Sequence, residues 1–171
     1  MVEKHELLPK DIRWHQIGRL QKNKVKYIAP FVSLIHSVDS IELLETINKQ
    51  AARFERVISV LLQVKIAQED SKTGMSHQEV NRVIDLIVTG SFSNIELLGF
   101  MGMATFTDNL EQVRSEFRGL KTFQLECVES YSQLESSFQT LSMGMSGDYE
   151  LAIKEGANMV RIGSKIFGSR K

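Results

Sequence analysis

Residues 56–67 read RVISVLLQVKIA, a β-branched and almost continuously apolar run. A half-exposed strand alternates apolar and polar side chains, whereas an unbroken apolar strand is covered on both faces. Strands of that kind belong to parallel sheets flanked by helices. The rest of the chain repeats the theme. Ile12 to Ile17, Ser33 to Val38, Ile95 to Met103, Thr140 to Met143 and Asn158 to Ile162 are further candidate strands, giving about six. Helical patterns fall between them. Asp39 and Glu42 have the spacing of a capping box, followed by Ile41, Leu44, Ile47 and Ala51 on one face. Ser76 and Glu79 repeat the device, as do Asp108 and Glu111. Ser146 can cap a short helix that stops at Gly156. Alternating strands and helices predict βαβ units and a parallel sheet. Periodicity alone leaves two architectures open, a doubly wound open sheet and part of a (β/α)8 barrel.

Composition removes several function classes. The chain has 171 residues with 21 basic and 21 acidic side chains, so no net charge draws it to nucleic acid or to an anionic membrane. No apolar run reaches the ~18 residues needed to span a bilayer. The segment MVEKHELLPK lacks the apolar centre of a secretory signal. Cys127 is the single cysteine, which fits a cytoplasmic protein. It reads as a packing residue rather than a nucleophile, because no basic cluster adjoins it. His5, His15, His36 and His77 show no metal-ligand spacing. Neither a G-x-G-x-x-G fingerprint nor a G-x-x-x-x-G-K-[ST] loop is present.

Chemistry concentrates near the C-terminus. Leu141-Ser142-Met143-Gly144-Met145-Ser146 and Met159-Val160-Arg161-Ile162-Gly163-Ser164 each place small residues after a strand and before a helix. Free backbone N–H groups and serine hydroxyls there suit a phosphate, and barrels often bind phosphate after their last two strands. The alternative is that Gly144 and Gly163 only permit tight turns and the serines cap helices. Arg161 stands inside an apolar strand, so its side chain points away from Val160 and Ile162. Directed inward, a guanidinium needs acceptors. Otherwise it leaves the strand end for solvent, or pairs with Glu69 or Asp148.

At these residues the sequence resembles a known family. LSMGMSGDYELAIKEGANMVRIGSKIFG (141–168) is similar to the C-terminal signature of the pyridoxal phosphate homeostasis family. Residues 14–24, WHQIGRLQKNK, look like that family's W-H-x-I-G-x-L-Q-x-N-K block. His36-Ser37-Val38-Asp39-Ser40 resembles its next strand end. Ser71-Lys72-Thr73-Gly74 follows the third strand, and Gly99-Phe100-Met101-Gly102-Met103 resembles its G-L-M-x-M strand.

The resemblance implies a barrel similar to the N-terminal domain of alanine racemase. It would bind pyridoxal 5′-phosphate (PLP) in vitamin B6 and amino-acid homeostasis, without established catalytic turnover. It also implies roles. Arg161 would face the pyridine nitrogen. Ser142, Gly163 and Ser164 would hold the phosphate, with Met143 and Gly144 shaping the loop. His15, Ile17 and Ser37 would lie along the cofactor's edge. The family's V-S-K-x-K and F-G-E-N motifs do not occur here. The expectation is therefore an incomplete (β/α)8 barrel of about six parallel strands, a single domain over 1–171. It would lack the first two βα units and the cofactor-linking lysine, so that PLP binds non-covalently at best. Lys65 could be proposed as a substitute, while Lys72 and Lys165 read as loop residues near anions. The rival readings are a racemase- or lyase-like enzyme on the same barrel and an inactive truncated product. Open strand edges would favour self-association.

Overall fold

The structure is a computed structural model and describes residues 1–68 and 73–168. Glu69, Ser71 and Lys72 lie outside the described residues. Helix α1 (Val2–Leu7) precedes β1 (Trp14–Gln16), α2 (Lys22–Ile28), β2 (Val32–Val38), α3 (Ile41–Arg53) and β3 (Ile58–Val64). There follow α4 (His77–Val88), β4 (Ile95–Gly102), α5 (Leu110–Ser130), a 3-10 turn (Ser132–Leu134), β5 (Thr140–Met145), α6 (Tyr149–Lys154), β6 (Met159–Arg161) and α7 (Ser164–Phe167). The six strands lie side by side in chain order, each parallel to its neighbours. The sheet curls into part of a (β/α)8 barrel, one of the two architectures that the alternation leaves open and the one that the family resemblance implies.

Strand β3 shows why its apolar run is unbroken. Ile58, Val60, Leu62 and Val64 pack into the large core shared with the helices. Leu61 faces the concave side, where it meets Leu34 and Met101, with Leu98, Met103 and Met159 beside them. Both faces are therefore buried, but against different layers. In β4 the inward and outward positions change phase at Gly99. Ile95 and Leu97 face the helices before it, and Phe100 does so after it. The register with β3 shifts at the same place. Gly99 has φ +144°, and a Cβ there would lie 1.9 Å from the Thr140 carbonyl oxygen. Only glycine allows this close approach of β4 and β5.

The helix starts differ from expectation in three places. Ser40, not Asp39, caps α3, its hydroxyl accepting from the Leu43 N–H. Asn109, not Asp108, caps α5, accepting from the Gln112 N–H. In both cases a second competent cap stands one residue along, and the helix begins where its apolar stripe meets the sheet. Ser146 does not cap α6, which starts after Asp148. Its hydroxyl instead accepts from the Gly163 N–H at 3.1 Å. The Ser76–Glu79 capping box forms in full. Gly156 ends the α6 region at φ +100°.

Candidate functional site

The concave face of the sheet is layered. Ser59 and Glu96 form a hydrogen-bonded pair of 2.7 Å on β3 and β4. The apolar layer of Leu34, Leu61 and Met101 comes next along the strands. Beyond it, toward the C-terminal strand ends, the side chains turn polar: His15 on β1, His36 on β2, Gln63 on β3, Ser142 on β5 and Arg161 on β6. This is the end at which parallel barrels place their sites.

Arg161 points inward. Its Nη1 donates to the Ser142 carbonyl and to the Ser142 hydroxyl, each at 2.8 Å, and its Nη2 donates to the Gly102 carbonyl at 3.0 Å. Among the described residues the acceptors are thus neutral oxygens rather than a carboxylate. Burial lowers the Arg161 pKa to about 10, with Asp148 pulling the other way, so the group stays cationic at neutral pH. Among the described residues Nη1 and Nη2 are engaged by the protein and Nε is not, so the guanidinium keeps donor capacity that could serve a ligand.

Ser142 is fully buried, and its hydroxyl also lies 3.0 Å from His36 Nδ1. His36 Nε2 in turn lies 3.1 Å from His15 Nδ1. Burial first, then His15 and Arg161, push the His36 imidazole down to about 3. His15 is lowered too, by burial and then by Arg13. Both rings are neutral near pH 7. Four residues from four strands thus form one hydrogen-bonded chain: Arg161, Ser142, His36, His15. Gln63 stands apart, donating to the Thr73 carbonyl at 2.6 Å and so tying the β3–α4 connection to the sheet.

The other expected site residues distribute unevenly. Gly163 and Ser164 are exposed just past β6, and open space surrounds the position a Gly163 side chain would occupy. Met143 is buried in the helix-facing core. Gly144 has φ +93°, and its Cβ would lie 2.6 Å from the Ala152 Cβ, so its small size lets α6 pack on β5. Ser37 donates to the Gly18 carbonyl at 2.7 Å and pins the loop after β1. Ile17 lies just past the three-residue β1, 51% exposed. Lys65 is not on a strand: it follows the end of β3 and is exposed. Lys165 sits over the Tyr149 ring, 4.4 Å from its centroid, at a groove of about 700 Å³ that Phe106, Leu110 and Met145 also line. Arg161 does not line that groove. His36 and Gly102 are the residues that sequence reasoning missed. The signal for His36 was its place two residues after the inward-facing Leu34.

Among the described residues no cluster of potential metal ligands occurs, and no helix is long and apolar enough to cross a membrane. Cys127 is buried, its thiol raised to about 12 chiefly by burial, as befits a packing residue.

Comparison with known proteins places this arrangement. The family model for the alanine racemase N-terminal domain matches residues 8–171. The pyridoxal phosphate homeostasis protein of Aquifex aeolicus is 40% identical over 171 residues, covering 99% of this chain and 73% of that protein. Its counterpart in Vibrio alginolyticus is 35% identical over 159 residues, covering 93% of this chain and 66% of that protein. The structure of PipY from Synechococcus elongatus with PLP bound superposes with a TM-score of 0.85 at 30% identity, over 97% of this chain and 74% of that one. PipY without PLP gives a TM-score of 0.88 at 32% identity, over 97% and 76%. The chain thus spans about two thirds to three quarters of the length of these relatives. The names of the Aquifex and Vibrio proteins refer to homeostasis of a cofactor rather than to a reaction. On this sequence identity and shared barrel, the chain belongs to the pyridoxal phosphate homeostasis protein family, within the wider family of the alanine racemase N-terminal domain.

Proposed function

We propose that this chain is a cytoplasmic, non-enzymatic PLP-binding protein of vitamin B6 and amino-acid homeostasis. Residues 1–171 would be one barrel domain, six of the eight strands of the closed form. The observation that carries the reading is Arg161, half-buried at the C-terminal end of the concave face, its guanidinium held by Ser142 and Gly102 with donor capacity left for a ligand.

The residues present fit the cofactor. A guanidinium is an obligate donor, so it suits an acceptor such as an unprotonated pyridine nitrogen. Gly163 and Ser164, exposed two and three residues further on, suit the phosphate. Ser142 belongs to the ring end instead, because its hydroxyl is already engaged by Arg161 and His36. When bound, PLP supplies an electron-withdrawing ring for chemistry at an attached amine. Arg161 would hold the ring nitrogen unprotonated, which weakens that pull and agrees with a carrier rather than a catalyst. His15 would approach the cofactor's edge from β1. Met143, Gly144 and Ser37 would act indirectly, through the strand, helix and loop they hold, and Ile17 would flank the mouth.

Titration of the chain with PLP, followed by absorbance and fluorescence, tests this. Saturable binding is expected, weakened ten- to a hundredfold by Arg161→Ala, since a charge-assisted hydrogen bond contributes about 1.5–3 kcal/mol. Glu45→Ala, a surface change, should leave it unaltered. Equal affinity for wild type and Arg161→Ala would remove Arg161 from the site, and racemisation of amino acids by the PLP-loaded chain would overturn the non-enzymatic reading.

A further inference from the structure

The chain of hydrogen bonds behind Arg161 has a direction. The guanidinium can only donate, so the Ser142 oxygen accepts from it at 2.8 Å. The Ser142 proton then needs an acceptor, and His36 Nδ1 stands 3.0 Å away. A neutral His36 that accepts at Nδ1 carries its proton on Nε2, which faces His15 Nδ1 at 3.1 Å. Each group thereby has a partner, and the order of donation runs Arg161, Ser142, His36, His15. The reverse tautomer would leave the buried Ser142 proton to compete with Arg161 for nearby carbonyl oxygens.

We propose that His36 is a positioning residue, backed by His15, that through Ser142 locks the Arg161 guanidinium so that its remaining donors select a ligand with an unprotonated aromatic ring nitrogen. This rests on the PLP-binding reading for the identity of the ligand, but not for the existence of the relay. The relay also joins β1 to β6 through β2 and β5, with His15 a secondary support for the His36 ring.

Without His36, the Ser142 hydroxyl turns toward its own carbonyl or that of Gly102. Those are the oxygens Arg161 uses. The guanidinium then loses its fixed position while keeping its charge. An asparagine at 36 carries an acceptor close to the Nδ1 position and can satisfy Ser142, but it cannot reach His15.

Two measurements test the proposal, one without ligand. Nitrogen-15 NMR of the ligand-free protein should show His36 with an unprotonated Nδ1 and a protonated Nε2 at neutral pH; a protonated Nδ1 would overturn it. The second uses PLP labelled with nitrogen-15 in the ring. The wild type should hold that nitrogen unprotonated. His36→Phe should shift its resonance toward the protonated form and weaken binding about tenfold, a loss of one buried hydrogen bond. His36→Asn should restore most of both. Unchanged ring resonance and affinity in His36→Phe would overturn the positioning role. Should His36→Phe fail to fold, His36→Asn against His15→Ala decides: the proposal requires the ring resonance to move less in the first than in His36→Ala, and only slightly in the second. Failure of the wild type to bind PLP would sink the functional reading instead, and the ligand-free spectrum would still decide the relay.

Discussion

Arg161 on β6 donates from one nitrogen to both the backbone carbonyl and the hydroxyl of Ser142 on β5, each at 2.8 Å. The contact is bidentate in effect, and Gly102 on β4 holds the other arm. Lysine keeps the charge but is a point donor on a flexible stem, and it cannot serve β5 and β4 together. Arg161→Lys is therefore expected to lose about 1–3 kcal/mol of folding stability, because buried acceptors are left unsatisfied. Urea denaturation at neutral pH measures this, and an unchanged midpoint would mean that the contacts do not contribute to the fold.

His36 predicts a pH dependence. Its pKa falls from an ordinary 6.5 to about 3 in the folded chain. Between those values the unfolded chain takes up a proton at His36 and the folded chain does not. Stability from this group is thus complete above about pH 6.5 and is lost progressively as pH falls toward 3. The slope reaches at most one proton, about 1.4 kcal/mol per pH unit. His36→Gln should flatten the fall relative to wild type when denaturation midpoints are compared from about pH 4 to 7. Parallel curves for the two proteins would show that His36 carries no such linkage.

Two glycines should respond oppositely to alanine. At Gly99 the backbone is at φ +144° and the added carbon would strike the Thr140 carbonyl. Gly99→Ala should cost more than about 2 kcal/mol, combining backbone strain with a forced separation of β4 and β5. Gly119 lies within α5 with open space around it. Gly119→Ala should stabilise by about 0.5–1 kcal/mol, the usual helical preference. Thermal melts of the pair check both signs.

Much of this was legible in the sequence. The unbroken apolar β3, the alternation of elements and the Ser76–Glu79 box each follow from local rules, and β2 to β5 stand close to where those rules put them. Arg161 was legible too, since strand alternation fixes which way it points once its neighbours are apolar. What the sequence could not show was the partner. Asp148 was one candidate counter-ion and Glu69, outside the described residues, the other; among the described residues the hydrogen-bond acceptors are neutral oxygens from Ser142 and Gly102, 19 and 59 positions away. Ser142 itself was legible as a chemistry-bearing residue, but the relay depends on strand register across the barrel. For the same reason Ser40 and Asn109 displaced Asp39 and Asp108 as caps: both choices are chemically sound, and tertiary packing chooses between them.

The sheet's two edges lead to an expectation about association. Among the described residues β1 pairs with β2 alone and β6 with β5 alone. Ile17 flanks one edge, and Ile166 and Phe167 follow the other, all largely exposed. Unpaired strand edges beside apolar side chains favour pairing with another chain. Size-exclusion chromatography with light scattering is expected to show concentration-dependent oligomers of the 171-residue chain. A monodisperse monomer over a wide concentration range would contradict this.

The final prediction concerns covalent attachment. A lysine that links to PLP must present an uncharged amine at the cofactor, and that state is reached by desolvation or by a neighbouring cation. Among the described lysines Lys65 came closest by sequence, within the Val64-Lys65-Ile66 segment. The structure puts it past the end of β3 and exposed. Lys165 is also exposed and stacks over Tyr149 at the separate groove. Neither is desolvated at the site. The 171-residue chain, mixed with equimolar PLP and reduced with borohydride, should therefore give only scattered and substoichiometric lysine labelling by peptide mass spectrometry. Arg161→Ala should leave that labelling pattern unchanged, because surface amines react independently of the site. Near-complete modification of one lysine, abolished by Arg161→Ala, would instead identify a cofactor-linking residue in this chain and overturn non-covalent binding as its mode.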